Sequence, residues 1–322
     1  MEIKKNLIPN DPHGKPMPQC EGDYIFFRVK FNAFRDVSRE CDSILRDVET
    51  MQECECVLRL PQSYSESGPQ TQLILFCHGA GSTVSAEQGQ IGGLVHTVEC
   101  TKAGYAVLDV AGSAPNGWTQ GCPEHLCALY RAYCYAVTHF HLTERVLVGG
   151  ASMGGSTAMN FINTYPSIVL AVGLFFPRLN LESVEIDGHF CLGSWDKTSV
   201  VRYEKRTTRE QLALNYRFEN GEWCEETIAG FDPYRTRSFL NSDGERVVIP
   251  PCPIKIWHGD ADKIIDLFMS EEFVRSVRRS GSYIELHKLK GVGHTANDVM
   301  HHELLHWFNR FSLRIPPSEE VL

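Results

Sequence analysis

Residues 145–155 read RVLVGGASMGG, an apolar, valine-rich run that ends in glycines around a single serine. The first six residues have the composition of a buried strand, and the STAMNFINTY that follows (156–165) has the spacing of a helix. Positions 150–154 fit G-x-S-x-G. Glycine is about 7% of ordinary protein, so about one chain of this size in ten carries that pentapeptide by accident. Strand before and helix after give it meaning. A nucleophile on a tight strand-to-helix turn is lifted above its sheet, and small residues at 150 and 154 let neighbouring backbone come close. Ser152 is therefore predicted at such a turn, near the positive end of the following helix dipole.

Outward from this turn, short apolar runs alternate with helix-period segments. Strands are predicted at 72–78, 105–110, 145–150, 167–176, 253–259 and 282–289, with helices at 85–102, 123–139, 154–164, 266–280 and 296–311. The pattern is that of an α/β fold, a mostly parallel central sheet with helices on both faces. Upstream, 23–31 and 55–61 read as strands flanking a helix on which Phe34, Val37, Cys41, Ile44, Leu45 and Val48 share a face. Residues 177–250 interrupt the alternation for longer than an ordinary connection, which predicts a lid. The expected organisation is a core of 1–176 and 251–322, with 1–60 as a strand-helix-strand extension, and a cap of 177–250.

A serine hydroxyl is a weak nucleophile, so a base must take its proton and a carboxylate should orient that base. Candidates follow in the order Ser, Asp, His, each at a predicted strand end: GDADKIID (259–266) and KGVGHTAND (290–298). With HGAG at 78–81, GASMG at 150–154, HGDAD at 258–262 and GVGH at 291–294, the chain resembles the α/β-hydrolases over residues 55–311. Esterases, lipases and the catalytic domains of the prolyl-oligopeptidase family belong to that group. The resemblance implies Ser152 as nucleophile, His294 as general base and then acid, and Asp262 as orienting carboxylate. Asp260 is the rival acid; Asp262 lies three residues after Gly259, where the family pattern puts it. HGAG implies an oxyanion hole from the N–H groups of Ala80 and Met153, with Gly81 an alternative to Ala80, and His78 as a structural hydrogen-bonding residue.

A second motif competes. His302, Glu303 and His306 spell H-E-x-x-H, which binds zinc when a third ligand follows. The extended motif needs Gly at 309 and His at 312, where this chain has Asn309 and Ser312, leaving only Glu319 and Glu320 downstream. Leu304, Leu305, Trp307, Phe308 and Phe311 instead predict a helix packed on the sheet, so no metal or other cofactor is expected.

The 322 residues carry 31 basic and 40 acidic side chains, and the net charge of −9 argues against nucleic acid or an anionic membrane as partner. No apolar stretch suits a signal peptide, and SIVLAVGLFF (167–176) is too short to span a bilayer. Twelve scattered cysteines without a CxxC pair read as free thiols in a cytoplasmic protein. In the insertion, Trp195, Tyr203, Tyr216, Phe218, Trp223, Phe231 and Tyr234 suit either a pocket wall or the cap's own core. Arg202, Lys205, Arg206 and Arg209 suit a solvated face better than an anion site. NGW (116–118) suits a pocket wall or a plain turn. The expected activity is cofactor-independent hydrolysis of a small carboxylic ester, with a serine peptidase or a non-catalytic binding protein as alternatives and the oligomeric state open.

Overall fold

The computed structural model describes residues 1–11, 13–32, 51–112, 118–182, 184–186, 189–191, 200–201, 206–207, 212–213, 215–216, 222 and 224–313. Nine strands form one sheet: β1 (Glu2–Leu7), β2 (Gly22–Asn32), β3 (Met51–Arg59), β4 (Leu73–Cys77), β5 (Ala106–Val110), β6 (Val146–Ala151), β7 (Val169–Phe175), β8 (Ile254–Gly259) and β9 (Ile284–Leu289), in the order β1-β2-β3-β5-β4-β6-β7-β8-β9. The first three strands are antiparallel to their neighbours, and from β5 to β9 every pairing is parallel.

Parallel strands lie between two helical layers, and their sequences show it, since every residue of β4, β5 and β6 is buried. Alternate side chains go to opposite faces. Leu73, Leu75 and Val148 pack with α2 (Pro123–His139), α3 (Met153–Thr164) and α4 (Leu267–Arg279). Ile74, Phe76 and Leu147 pack on the other face with α1 (Val98–Lys102) and α5 (Asp298–Asn309). The buried Trp307 indole of α5 donates to the carbonyl of Val172 at 2.8 Å, so its one polar atom is satisfied beneath the sheet.

Two sequence expectations are corrected. Residues 85–102 are not one helix: Val84–Ser85 pairs with Gln90–Ile91 in a hairpin, a 3-10 turn covers Gly92–Thr97, and only 98–102 is α-helical. The helical spacing there is broken by Gly92 at φ +56°, where a Cβ would lie 2.3 Å from the Asp109 carboxylate. The edge strand β1 was also unforeseen, because its lysine-rich, mostly exposed residues lack the apolar alternation of a half-buried strand. The expected helix bearing Phe34 to Val48 falls outside the described residues.

In the insertion, Leu181, Leu212, Ala213, Tyr216 and Ile228 bury together with Cys122, with Phe231 packed against them. Tyr216 Oη donates to Gln120 O at 2.9 Å, and Asn215 Nδ2 to Trp118 O, tying this cluster to the loop that leads into α2. Asp232, fully buried, accepts the N–H groups of Leu181 and Tyr234 at 2.9 Å each. Tyr216 is thus buried in this cluster, Phe231 packs against both it and the main core, and Tyr234 is buried in the main core, whereas Trp195, Tyr203, Phe218 and Trp223 lie outside the described residues, as do the side chains of the basic run 202–209. The described residues contain no helix long and apolar enough to cross a membrane.

Candidate active site

At the end of β6 the chain turns sharply, and Ser152 sits there at φ +56°, ψ −120°, a conformation that a residue with a Cβ adopts only under strain. Two glycines make the turn possible. A Cβ on Gly150 would lie 2.3 Å from Gly154 O, and one on Gly154 would lie 2.1 Å from Cys77 O. The Ser152 N–H donates to Phe175 O, and its carbonyl accepts from Gly155 and Arg178, so the backbone is held on three sides.

Around this serine the structure brings together the two other predicted residues. His294 Nε2 is 2.9 Å from Ser152 Oγ, and His294 Nδ1 is 2.7 Å from Asp262 Oδ2. The three loops that carry them leave β6, β8 and β9 at the same sheet edge, which is what parallel strands do with their carboxyl ends. The Asp262 side chain is fully buried, and its other oxygen accepts from Ile264 N at 2.8 Å and Ile265 N at 3.0 Å. Burial pushes this carboxyl up, but hydrogen bonds from His258, His294 and the backbone of Ile265 and Ile264 outweigh it and hold the group well below the usual carboxylate range. Asp260 is exposed and accepts the Gly291 N–H at 2.6 Å, bracing the turn after β9.

His258 belongs to the HGDAD motif, whose sequence assigns it no role. It lies fully buried, with Nδ1 2.7 Å from Ser270 Oγ and Nε2 3.0 Å from Ile265 O. Phe176 is another residue the sequence did not single out: at φ +36° it turns its ring to 4.5 Å from the His294 ring, centroid to centroid. A strand-end histidine and an aromatic after a strand are too common in sequence to be read as positioning groups.

The HGAG segment follows β4 and runs against the serine turn, where a Cβ on Gly79 would lie 3.3 Å from Ala151 O and 3.5 Å from Ser152 Cβ. Ala80 is exposed in this loop, and Met153 is the first residue of α3, where an N–H has no intrahelical acceptor. His78 is buried and its Nδ1 is 2.9 Å from Asp109 Oδ2. Asp109 also accepts Gly93 N at 2.7 Å and Val110 N at 2.8 Å, so His78 fixes the loop base.

Beside Ser152 opens a cavity of about 490 Å³, lined by Gly79, Phe176 and His294 on one side and by Ile91, Gly92, Val95 and His96 on another. Burial pushes the His96 imidazole down to about 3, which keeps this wall uncharged. The third wall is Asn10, Asp11, His13 and Met17 from the N-terminal segment, which no motif in the sequence places near the serine.

H-E-x-x-H lies on α5 with His302 and His306 exposed. Glu303 Oε2 takes three donors: Trp257 Nε1 at 2.7 Å, His287 Nδ1 at 2.9 Å and Lys255 Nζ at 3.1 Å. Burial pushes this carboxyl up, and those three partners bring it down to about 2, so Glu303 is an ion-pair anchor between α5 and the sheet. Among the described residues no group of three His, Cys, Asp or Glu could hold a metal ion.

No family profile and no curated protein matches the sequence. Among solved structures the chain is similar to the acylaminoacyl peptidase of Pyrococcus horikoshii (14% identity, TM-score 0.58, 93% of this chain and 43% of that one). It is also similar to a Mycobacterium tuberculosis puromycin-hydrolyzing peptidase (16%, TM-score 0.56, 81% and 37%) and to a putative dipeptidyl aminopeptidase IV from Bacteroides ovatus (12%, TM-score 0.57, 89% and 35%). The chain spans less than half the length of each, and at these identities the likeness is one of fold.

Proposed function

We propose that this chain, which has the α/β-hydrolase fold, is a serine hydrolase that cleaves carboxylic esters through an acyl-enzyme on Ser152. The observation that carries the proposal is the strained serine turn with its Oγ 2.9 Å from His294 Nε2, while the opposite ring nitrogen lies 2.7 Å from a buried carboxylate. In this reading His294 takes the Ser152 proton as Oγ attacks the acyl carbon, and Asp262 holds the imidazole in the tautomer that can accept it. The N–H groups of Ala80 and Met153 receive the oxyanion, His294 returns the proton to the leaving group, and water then repeats the sequence to release the acid. No cofactor enters. We read residues 177–250 as a cap beside this site, and the thiols of Cys20, Cys54, Cys56, Cys77, Cys224 and Cys252, none in a disulfide, support a reducing, cytoplasmic setting.

A serine peptidase is the second reading, favoured by the names of the similar structures, which are peptidases. The test is intact-mass analysis after a fluorophosphonate, followed by kinetics on an ester and an anilide of one acyl group. A single adduct on wild type and none on Ser152→Ala, with the ester cleaved faster, supports the proposal. An adduct with the anilide cleaved as fast moves the peptidase forward, and no adduct on folded protein favours a binding protein.

A further inference from the structure

Ser152 has a second strained residue beside its turn. Gln120, in the loop that leads into α2, sits at φ +54° and is followed by Gly121 at φ +69°, so two successive residues lie in the left-handed region. Gln120 is fully buried, and strain of this kind persists only where the surroundings hold it in place. Its polar groups reach three parts of the chain. The N–H donates to Met153 Sδ at 3.4 Å, the side-chain Oε1 accepts from Arg178 Nη1 at 3.3 Å, and the carbonyl accepts from Tyr216 Oη at 2.9 Å.

Two of those partners hold the nucleophile. Met153 follows Ser152 and opens α3, and the N–H of the buried Arg178 donates to the Ser152 carbonyl at 2.9 Å. The same loop lies along α3: Asn160 Nδ2 donates to Gly121 O at 3.1 Å, and a Cβ on Gly121 would lie 3.0 Å from Thr157 N. Met153, Thr157 and Asn160 share one face of the helix by their spacing. The loop therefore fixes where α3 begins, and with it the aim of the Met153 N–H. The third partner, Tyr216, is buried in the insertion, and its hydroxyl also hydrogen-bonds the Asn160 side chain. Neither Gln120 nor Tyr216 is among the described residues that line the cavity beside Ser152.

We infer that Gln120 is a positioning residue for the reaction: it braces the serine turn through Met153 and Arg178, and is itself held from the insertion by Tyr216. The inference rests on the serine-hydrolase reading and adds to it a residue that acts through its neighbours. A shift of about 1 Å in the nucleophile or an oxyanion donor can slow the chemistry about a hundredfold, whereas a cavity wall left in place keeps ground-state binding. A fall in kcat at constant KM is therefore the mark of this role, and a merely structural residue would lower stability and leave the kcat of folded protein alone.

The experiment measures kcat and KM on one ester, and the rate of fluorophosphonate labelling of Ser152, for wild type, Tyr216→Phe, Gln120→Gly and the double variant, with kcat expressed per labelled site. Tyr216→Phe removes one hydroxyl from a buried ring. Gln120→Gly keeps the left-handed backbone and its two main-chain bonds while removing the bond to Arg178. Each single variant is expected to lower kcat and the labelling rate about three- to tenfold with KM changed less than about twofold. The double variant should lose less than the product of the two effects, because both act through one residue. An unchanged kcat per labelled site in either single variant, a change confined to KM, or a double variant that loses the full product or more would overturn the inference alone. Absence of labelling in wild type would overturn the reading beneath it.

Discussion

His258 and Asp262 meet inside the protein at the end of β8, with Nε2 3.2 Å from Oδ2, on the same carboxylate oxygen that His294 engages from the solvent side. One oxygen thus lies between two imidazoles, and the inner one is fixed by Ser270 and Ile265. His258→Leu should let Asp262 rotate, lowering kcat on an ester about tenfold or more with a smaller change in KM, and leaving Ser270 Oγ unpaired at a cost of about 1–3 kcal/mol. Michaelis kinetics and denaturant unfolding check both parts, and a change confined to KM would show that the contact does not act through Asp262.

The choice between the two acids is also open to measurement. Asp262→Asn removes the charge beside His294 and should reduce kcat by roughly 10³–10⁴. Asp260→Asn touches only the turn at Gly291 and should change kcat by no more than about threefold, within the effect expected of a surface substitution. The reverse ranking would transfer the orienting role to Asp260.

Backbone strain at the serine has its own signature. Ser152→Ala keeps the Cβ at φ +56°, whereas Ser152→Gly relieves it. Both variants should lose fluorophosphonate labelling, and the glycine variant should be more stable than the alanine variant by about 1 kcal/mol in urea unfolding. Equal stabilities would mean that the turn costs nothing to hold.

Asp232 should shape the dependence of stability on pH. Burial pushes its carboxyl up to about 6, against the opposing N–H bonds from Leu181 and Tyr234, so the native state keeps this proton to higher pH than the unfolded chain, which loses it near 3.8. The native state binds the extra proton between those values, so this group's contribution to stability falls as pH rises through them and is flat above, by at most roughly 3 kcal/mol. Asp262 acts oppositely: its carboxyl is held low, so its contribution is present at neutral pH and lost as acid takes the carboxylate below the ordinary range. Unfolding of wild type and Asp232→Asn at intervals from about pH 4 to about pH 7 should show the declining component in wild type only.

Glu303→Gln should leave ester turnover intact while costing roughly 1–2 kcal/mol through weakened bonds to Lys255 and His287. A chelator should leave activity unchanged. Loss of activity in Glu303→Gln, together with wild-type activity that a chelator removes and zinc restores, would revive the peptidase motif on α5.

Much of the sheet was legible because parallel strands are buried on both faces and read as unbroken apolar runs, as LILFC and VLVGGA do. The juxtaposition of Ser152, Asp262 and His294 was legible for a related reason: each stands at a strand's carboxyl end, so one rule of topology predicts their meeting. Residues 85–102 misled because Leu94, Val95 and Val98 keep a helical spacing while Gly89, Gly92 and Gly93 do not permit the helix, a conflict of pattern with backbone that sequence alone does not rank. The cavity wall of Asn10, Asp11, His13 and Met17 was illegible for a different reason. Its attachment runs mainly through backbone atoms, which every sequence possesses, and its one side-chain bond, from the Asn10 amide, belongs to a residue type too common in turns to announce it.

That same attachment makes the cavity wall structurally independent of the serine turn. The turn formed by residues 10, 11 and 13–17 is closed by main-chain bonds and the Asp11 carboxylate and fastened to its hairpin by main-chain bonds and the Asn10 amide, which leaves His13 and Met17 free to vary while the fastening stays. Ser152, His294 and Asp262 stand at the ends of strands that do not contribute to the turn, and of the three His294 lines the cavity. Exchanging His13 and Met17 should therefore reshape the cavity while leaving the Ser152, His294 and Asp262 contacts in place.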